Sequence, residues 1–119
     1  CNENTLVVIM LETWDAIQSA DDIAAIAGVD VLHIGSNDLS ADMGIPGQYD
    51  HNKLIECYKI MTDACKKHGK FAGMGGIYDE ENATRFIDMG CRFINSGGDL
   101  GFMTAGANKR SHFLNNVQI

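Results

Sequence analysis

The chain has 119 residues, of which 45% are hydrophobic and 21% charged, with 13 Gly and 1 Pro, a balance that fits one folded domain and excludes collagen-like or disordered readings. Lys and Arg number 9 against 16 Asp and Glu, for a net charge of -7. The phosphate attraction on which nucleic-acid binders and anionic membrane surfaces depend is therefore absent. The longest apolar run, Leu6 to Leu11, suits a buried strand and is far too short to span a bilayer. No signal peptide is read at the N-terminus, and Cys1, Cys57, Cys65 and Cys91 show neither a CxxC nor a Cys/His ligand spacing. Reduced thiols in a cytoplasmic protein are expected.

Thr5 to Leu11 reads as a strand buried on both faces of a parallel sheet, ended by Glu12 and Thr13. Because Cys1-Asn2-Glu3-Asn4 runs into this strand at once, the chain reads as if entered midway. From Trp14 to Ala27, Ile17, Ala20, Ile23, Ala24 and Ala27 recur at helical spacing, with Gly28 as the stop. Val29 to Ile34 is a second buried strand, closed by a Gly35-Ser36-Asn37-Asp38 loop; Gly44, Pro46 and Gly47 mark a longer connection. The clearest helix is Asn52 to His68, with a stripe through Leu54, Tyr58, Met61 and Cys65 and a basic last turn before Gly69. Phe71 to Met74 is a strand leading into Gly75-Gly76, Asp79-Glu80-Glu81 open a helix that ends near Met89, and Arg92 to Asn95 is a fourth strand. Ser96-Gly97-Gly98-Asp99 follow, and a helix from about Phe102 to Leu114 completes the chain.

Four strand-then-helix units without a hairpin signal specify a parallel α/β sheet, in which functional groups collect where strands end at their C-termini. Two architectures satisfy this pattern: an open doubly wound sheet, or the second half of a (β/α)8 TIM barrel, since a whole barrel needs roughly 250 residues. Glu12 and Asp38 are the carboxylates at strand ends. Each has an ordinary alternative, Glu12 as a helix cap or a partner for Lys, Asp38 as an N-cap. Taken together, two carboxylates plus water and a chelating substrate make the oxygen-rich set that Mg²⁺ or Mn²⁺ prefers. His33, within the second strand, reads as a satisfied core or interface histidine. His51, His68 and His112 read as surface residues, and Asp99 as a cap for Leu100 onward. Gly75, Gly76, Gly97 and Gly98 are a possible anion site, the alternative being tight turns and close packing.

Leu11-Glu12-Thr13 after a buried strand, Gly28-Val29-Asp30, Ile34-Gly35-Ser36-Asn37-Asp38-Leu39-Ser40, Gly44-Ile45-Pro46-Gly47, and Phe93-Ile94 with Gly98-Asp99-Leu100-Gly101 together resemble the HpcH/HpaI family of class II pyruvate aldolases. The family usually has Pro where Ser36 stands. The resemblance implies a (β/α)8 barrel of which residues 1–119 form the C-terminal half as a single domain, with the N-terminal half absent from this sequence. It implies Glu12 and Asp38 as ligands of a divalent cation (Mg²⁺, Mn²⁺ or Co²⁺), and Ser36, Asn37 and Asp38 as the segment whose backbone N–H groups hold a substrate carboxylate. The implied activity is metal-dependent cleavage or formation of a C–C bond in 2-keto acids through a pyruvate enolate, with the ion as Lewis acid. An Arg and a His that the family uses fall outside this half, so no catalytic residue is assigned here. The implied partners are a small 2-keto acid and further copies of the chain, with Phe113 and Leu114 at a subunit contact unless the tail folds on its own domain. Other readings are a phosphate-ligand barrel enzyme and a non-catalytic half-barrel that needs a partner.

Overall fold

A computed structural model describes residues 2–117 of the chain. After a 3₁₀ turn, Asn2–Asn4, the elements are β1 (Val8–Leu11), α1 (Trp14–Gln18), α2 (Ala20–Ala24), β2 (Val31–Gly35), α3 (Ser36–Asp42), α4 (Asn52–His68), β3 (Phe71–Gly75), α5 (Glu80–Met89), β4 (Cys91–Ile94) and α6 (Asp99–Asn115). All strand pairings are parallel and the spatial order is β1-β2-β3-β4. This order separates the two architectures left open above. A doubly wound sheet reverses direction at a switch point and carries helices on both faces, whereas here the order is unbroken. An unbroken order of parallel strands with the packed helices on one face is the arrangement of a barrel segment.

The core lies on one face only. Leu11, Leu32, Ile34, Ala72 and Met74 from the strands pack against Ile17, Ala20, Leu54, Tyr58, Met61 and Phe86 from the helices. Alternation along the strands puts the in-register set Met10, His33, Gly73 and Phe93 on the opposite, concave face. Inside the helical layer the Tyr58 and Phe86 rings stack with centroids 3.8 Å apart.

Several expectations are corrected. The first strand is not buried on both faces: β1 pairs only with β2, and Met10 is 48% exposed, because no described layer covers the concave side. The helix expected over 14–27 is interrupted at Ser19, whose backbone (φ -90°, ψ 4°) leaves the helical region and whose hydroxyl donates to the Asp15 carbonyl. It also ends at Ala24, three residues short of Ala27. The loop expected over 35–38 is instead the start of α3, which follows β2 without an intervening residue. The last helix begins at Asp99, three residues before the expected start; its N-cap is Gly98 rather than Asp99, whose carboxylate accepts from the adjacent Leu100 N–H at 2.8 Å.

His51 caps α4 through Nδ1, which accepts from the Lys53 N–H, and Gly69 at φ 66° ends that helix, where a β-carbon would be strained. Cys57, Cys65 and Cys91 are buried free thiols; burial pushes Cys57 up to about 11 and Cys91 up to about 12, so they are unreactive core residues. Cys1 lies outside the described residues. No helix among those described is long and apolar enough to cross a membrane.

Helix α6 stands apart. Every described residue from Asp99 to Val117 is exposed, including Phe102, Met103, Phe113 and Leu114. The radius of gyration, 17.5 Å, exceeds the roughly 13.5 Å of a compact domain of this length because of that projection. The described part of the tail, residues 99–117, is thus left uncovered by the rest of the chain.

Candidate functional site

The C-terminal strand ends open onto a cleft of about 210 Å³. Glu12 enters from the end of β1, Ser36, Asn37 and Asp38 from the first turn of α3, Gly75 and Gly76 from the end of β3, and Asn95 from the end of β4, with His33 among the residues beneath them. All four segments meet here because parallel strands point their C-terminal ends the same way.

The ordinary readings of both carboxylates fail. Thr13, not Glu12, caps α1, accepting from the Ala16 N–H at 3.2 Å, while Asp42 accepts from the Trp14 N–H at 2.8 Å. The N-cap of α3 is Gly35, so Asp38 falls within the first turn. Among the described residues, neither Glu12 nor Asp38 has a hydrogen-bond or ion-pair partner; the ion pairs present involve Asp21 and Glu81. The Glu12 side chain lies over Gly35, with Oε1 only 2.7 Å from where a β-carbon would stand, so any larger residue at 35 would displace the carboxylate. No Lys or Arg lines the cleft. Glu12 is half-buried and Asp38 exposed, and together they present to one cavity oxygen donors of the kind a divalent cation takes. No cluster of three or more His, Cys, Asp or Glu side chains that could hold a metal ion occurs among the described residues, so Glu12 and Asp38 by themselves make at most a partial donor set.

Of the three residues expected to hold a substrate, Ser36 is buried and its Oγ is 2.7 Å from the Tyr58 hydroxyl, which leaves its backbone as the part that can face a ligand. The Asn37 side-chain carbonyl accepts a hydrogen bond from the Tyr49 hydroxyl, and its Nδ2 lies 3.1 Å from the place a β-carbon on Gly76 would take. The Ser40 hydroxyl donates to the Asn37 carbonyl and accepts from the Gly47 N–H, which fixes the turn. The four candidate anion-site glycines do not act as a group. Gly75 and Gly76 line the cleft, whereas Gly97 and Gly98 do not, and the space beside Gly97 is filled by the Phe102 ring, 2.7 Å from the β-carbon position.

Sequence reasoning placed His33 in the core but missed its state. The residue is 4% exposed, and Nδ1 has no hydrogen-bond partner, so it is not a fully satisfied histidine. Burial lowers its pKa from the ordinary value of 6.5. A histidine that resists protonation only when folded makes the fold more stable above its unfolded pKa and less stable as pH falls below it. Thermal unfolding of the intact protein should therefore decline from about pH 6.5 downward. The substitution His33→Phe should flatten that decline; an unchanged profile would contradict the burial of an uncharged ring.

Residues 1–105 match the family model described as HpcH/HpaI aldolase/citrate lyase. The chain belongs to this family. It is 35% identical over 115 residues to the 4-hydroxy-4-methyl-2-oxoglutarate aldolase tasA of Hapsidospora irregularis, covering 95% of this chain and 43% of that protein. It is 32% identical over 108 residues to the 5-keto-4-deoxy-D-glucarate aldolase of Salmonella arizonae, covering 91% of this chain and 42% of the relative. An HpcH/HpaI aldolase structure from Desulfitobacterium hafniense superposes with a TM-score of 0.84 at 26% identity, over 98% of this chain and 45% of that one. A Burkholderia cenocepacia family member superposes at 0.85 with 23% identity, over 96% of this chain and 44% of that one, a likeness of fold. The chain thus spans less than half the length of these HpcH/HpaI relatives.

Proposed function

We propose that this chain supplies the metal-binding portion of a class II aldolase that cleaves or forms a C–C bond in a 2-keto acid. The observation that carries the reading is the pair of unpaired carboxylates, Glu12 and Asp38, facing one cleft that no cationic side chain lines. A 2-keto acid is an anion and would be repelled by two bare carboxylates, so a divalent cation (Mg²⁺, Mn²⁺ or Co²⁺) between them makes binding electrostatically possible. When bound, that ion supplies a Lewis acid for the substrate's keto oxygen. Glu12 and Asp38 hold it and move no proton. The backbone N–H groups of Ser36, Asn37 and Asp38, in the first turn of α3 where no intrahelical acceptor is available, face the substrate carboxylate. The chain spans less than half the length of its relatives, and the family resemblance implies an Arg and a His beyond the matched residues; on that reading these 119 residues alone should not be an efficient enzyme.

The test is pyruvate release from a 4-hydroxy-2-oxo acid by the intact protein, before and after chelation. Activity should vanish with EDTA and return with Mg²⁺, Mn²⁺ or Co²⁺. Turnover that persists after complete chelation would refute metal dependence.

The intact protein should also be a homo-oligomer that buries Phe113 and Leu114 of α6, because an exposed helix with several large apolar residues needs a covering surface. Sedimentation of the protein truncated before Phe102 should show a smaller assembly; an unchanged mass with the fold retained would rule out this role for the helix.

A further inference from the structure

Among the described residues, His33 is a buried side chain at the cleft whose Nδ1 has no hydrogen-bond partner, and the proposed reaction does not use it. Two glycines make room for it. A β-carbon on Gly73 would stand 2.5 Å from its Nδ1, and one on Gly75 would stand 2.7 Å from its Nε2, so both positions on β3 are held without side chains and the imidazole lies across them. Phe93 meets the ring edge-on at a centroid distance of 5.6 Å. This packing walls off Nδ1 and leaves it without a partner, whereas Nε2 lies level with Gly75, a residue that lines the cleft together with His33 itself.

An uncharged imidazole carries one N–H, and a donor enclosed without an acceptor is the more costly vacancy. The proton therefore belongs on Nε2, on the cleft side. A ring packed by glycines and Phe93, with one nitrogen sealed and the other at the cavity floor, is preset to make a single hydrogen bond to whatever fills that cavity.

We propose that His33 is a substrate-contacting specificity residue, whose Nε2–H donates to an oxygen atom of the 2-keto acid in the cleft. The inference rests on the 2-keto acid reading above. It implies selection by composition: a ligand placing a methyl or methylene against the floor leaves Nε2–H desolvated and unpaired, whereas one placing a carbonyl, hydroxyl or carboxylate oxygen there satisfies it.

The experiment uses the intact protein with Mg²⁺ and pyruvate as the probe. A Glu12→Ala control comes first: if that variant keeps wild-type turnover, the aldolase reading itself has failed, independently of His33. With that control silent, the ¹⁵N signal of His33 Nε2 in histidine-labelled protein should shift on saturation with pyruvate. His33→Phe, which keeps an aromatic ring without a donor, should lower kcat/KM for a 4-hydroxy-2-oxo acid by about 10- to 100-fold, the loss expected for one neutral hydrogen bond in an enclosed site. His33→Gln, which restores an N–H, should recover most of it, a rescue that a purely structural role would not give. An unmoved His33 signal at saturating pyruvate overturns the assignment, as does a His33→Phe enzyme that folds and keeps kcat/KM within twofold of wild type.

Discussion

Replacing Glu12 or Asp38 by Ala in the intact protein should lower kcat/KM at least about 10³-fold, equivalent to roughly 4 kcal/mol of transition-state stabilisation, as expected when a Lewis-acid ion loses one of two protein ligands. The fold should persist, because neither carboxylate caps a helix or pairs with a cation among the described residues. Circular dichroism and sedimentation should match the wild-type protein, and calorimetric titration with Mn²⁺ should show weakened binding. Each substitution removes a negative charge from a cleft without cations, so a merely repulsive role would leave activity equal or higher. Two variants that turn over like the parent would remove the metal assignment.

The second large effect concerns stability. Phe86 is fully buried in the helical layer and stacks on Tyr58, whose hydroxyl meets Ser36 in the first turn of α3. Phe86→Ala should cost about 3–5 kcal/mol through lost burial and the cavity left behind. At fixed protein concentration that is a fall in Tm of roughly 10–20 °C. Tyr58→Phe keeps the ring and should cost about 1–3 kcal/mol, chiefly by leaving the buried Ser36 hydroxyl unpaired. The comparison separates ring packing from the hydrogen bond that ties the core to the cleft. A Phe86→Ala protein melting within 3 °C of wild type would show that the stack is not part of the stabilising core.

The order of strands and helices was legible because apolar runs and glycine stops are local signals, and α4 and α5 formed close to where their patterns put them. That Glu12 and Asp38 would face one cleft was also legible, because each follows the C-terminal end of one of two strands that parallel topology brings side by side. The start of α3 was not. Ser36, Asn37 and Asp38 are residue types that favour turns and caps, and they are held in a helix by contacts remote in the chain: Ser36 buried against Tyr58, Leu39 in the core, and the Tyr49 and Gly47 hydrogen bonds to Asn37 and Ser40. The exposure of β1 was hidden for another reason: Val8 to Leu11 has the composition of a doubly covered strand, while its covering depends on what packs against the concave face. His33 was the hardest to read. Whether its nitrogens find partners depends on Gly73, Gly75 and Phe93, which are remote in the chain and adjacent only after β2, β3 and β4 align.

The slot formed by Gly73 and Gly75 around His33 has an evolutionary consequence. Ala at either glycine position collides with the imidazole unless the ring shifts, so these three sites are not free to drift independently. A lineage that enlarges residue 73 or 75 must first accept a smaller residue at 33, and one that acquires His33 on a β3 with bulkier side chains must shed them. The three positions should change together among relatives, with the glycines preceding the histidine in order of acquisition, because the empty slot is tolerable without the ring whereas the ring is not tolerable without the slot.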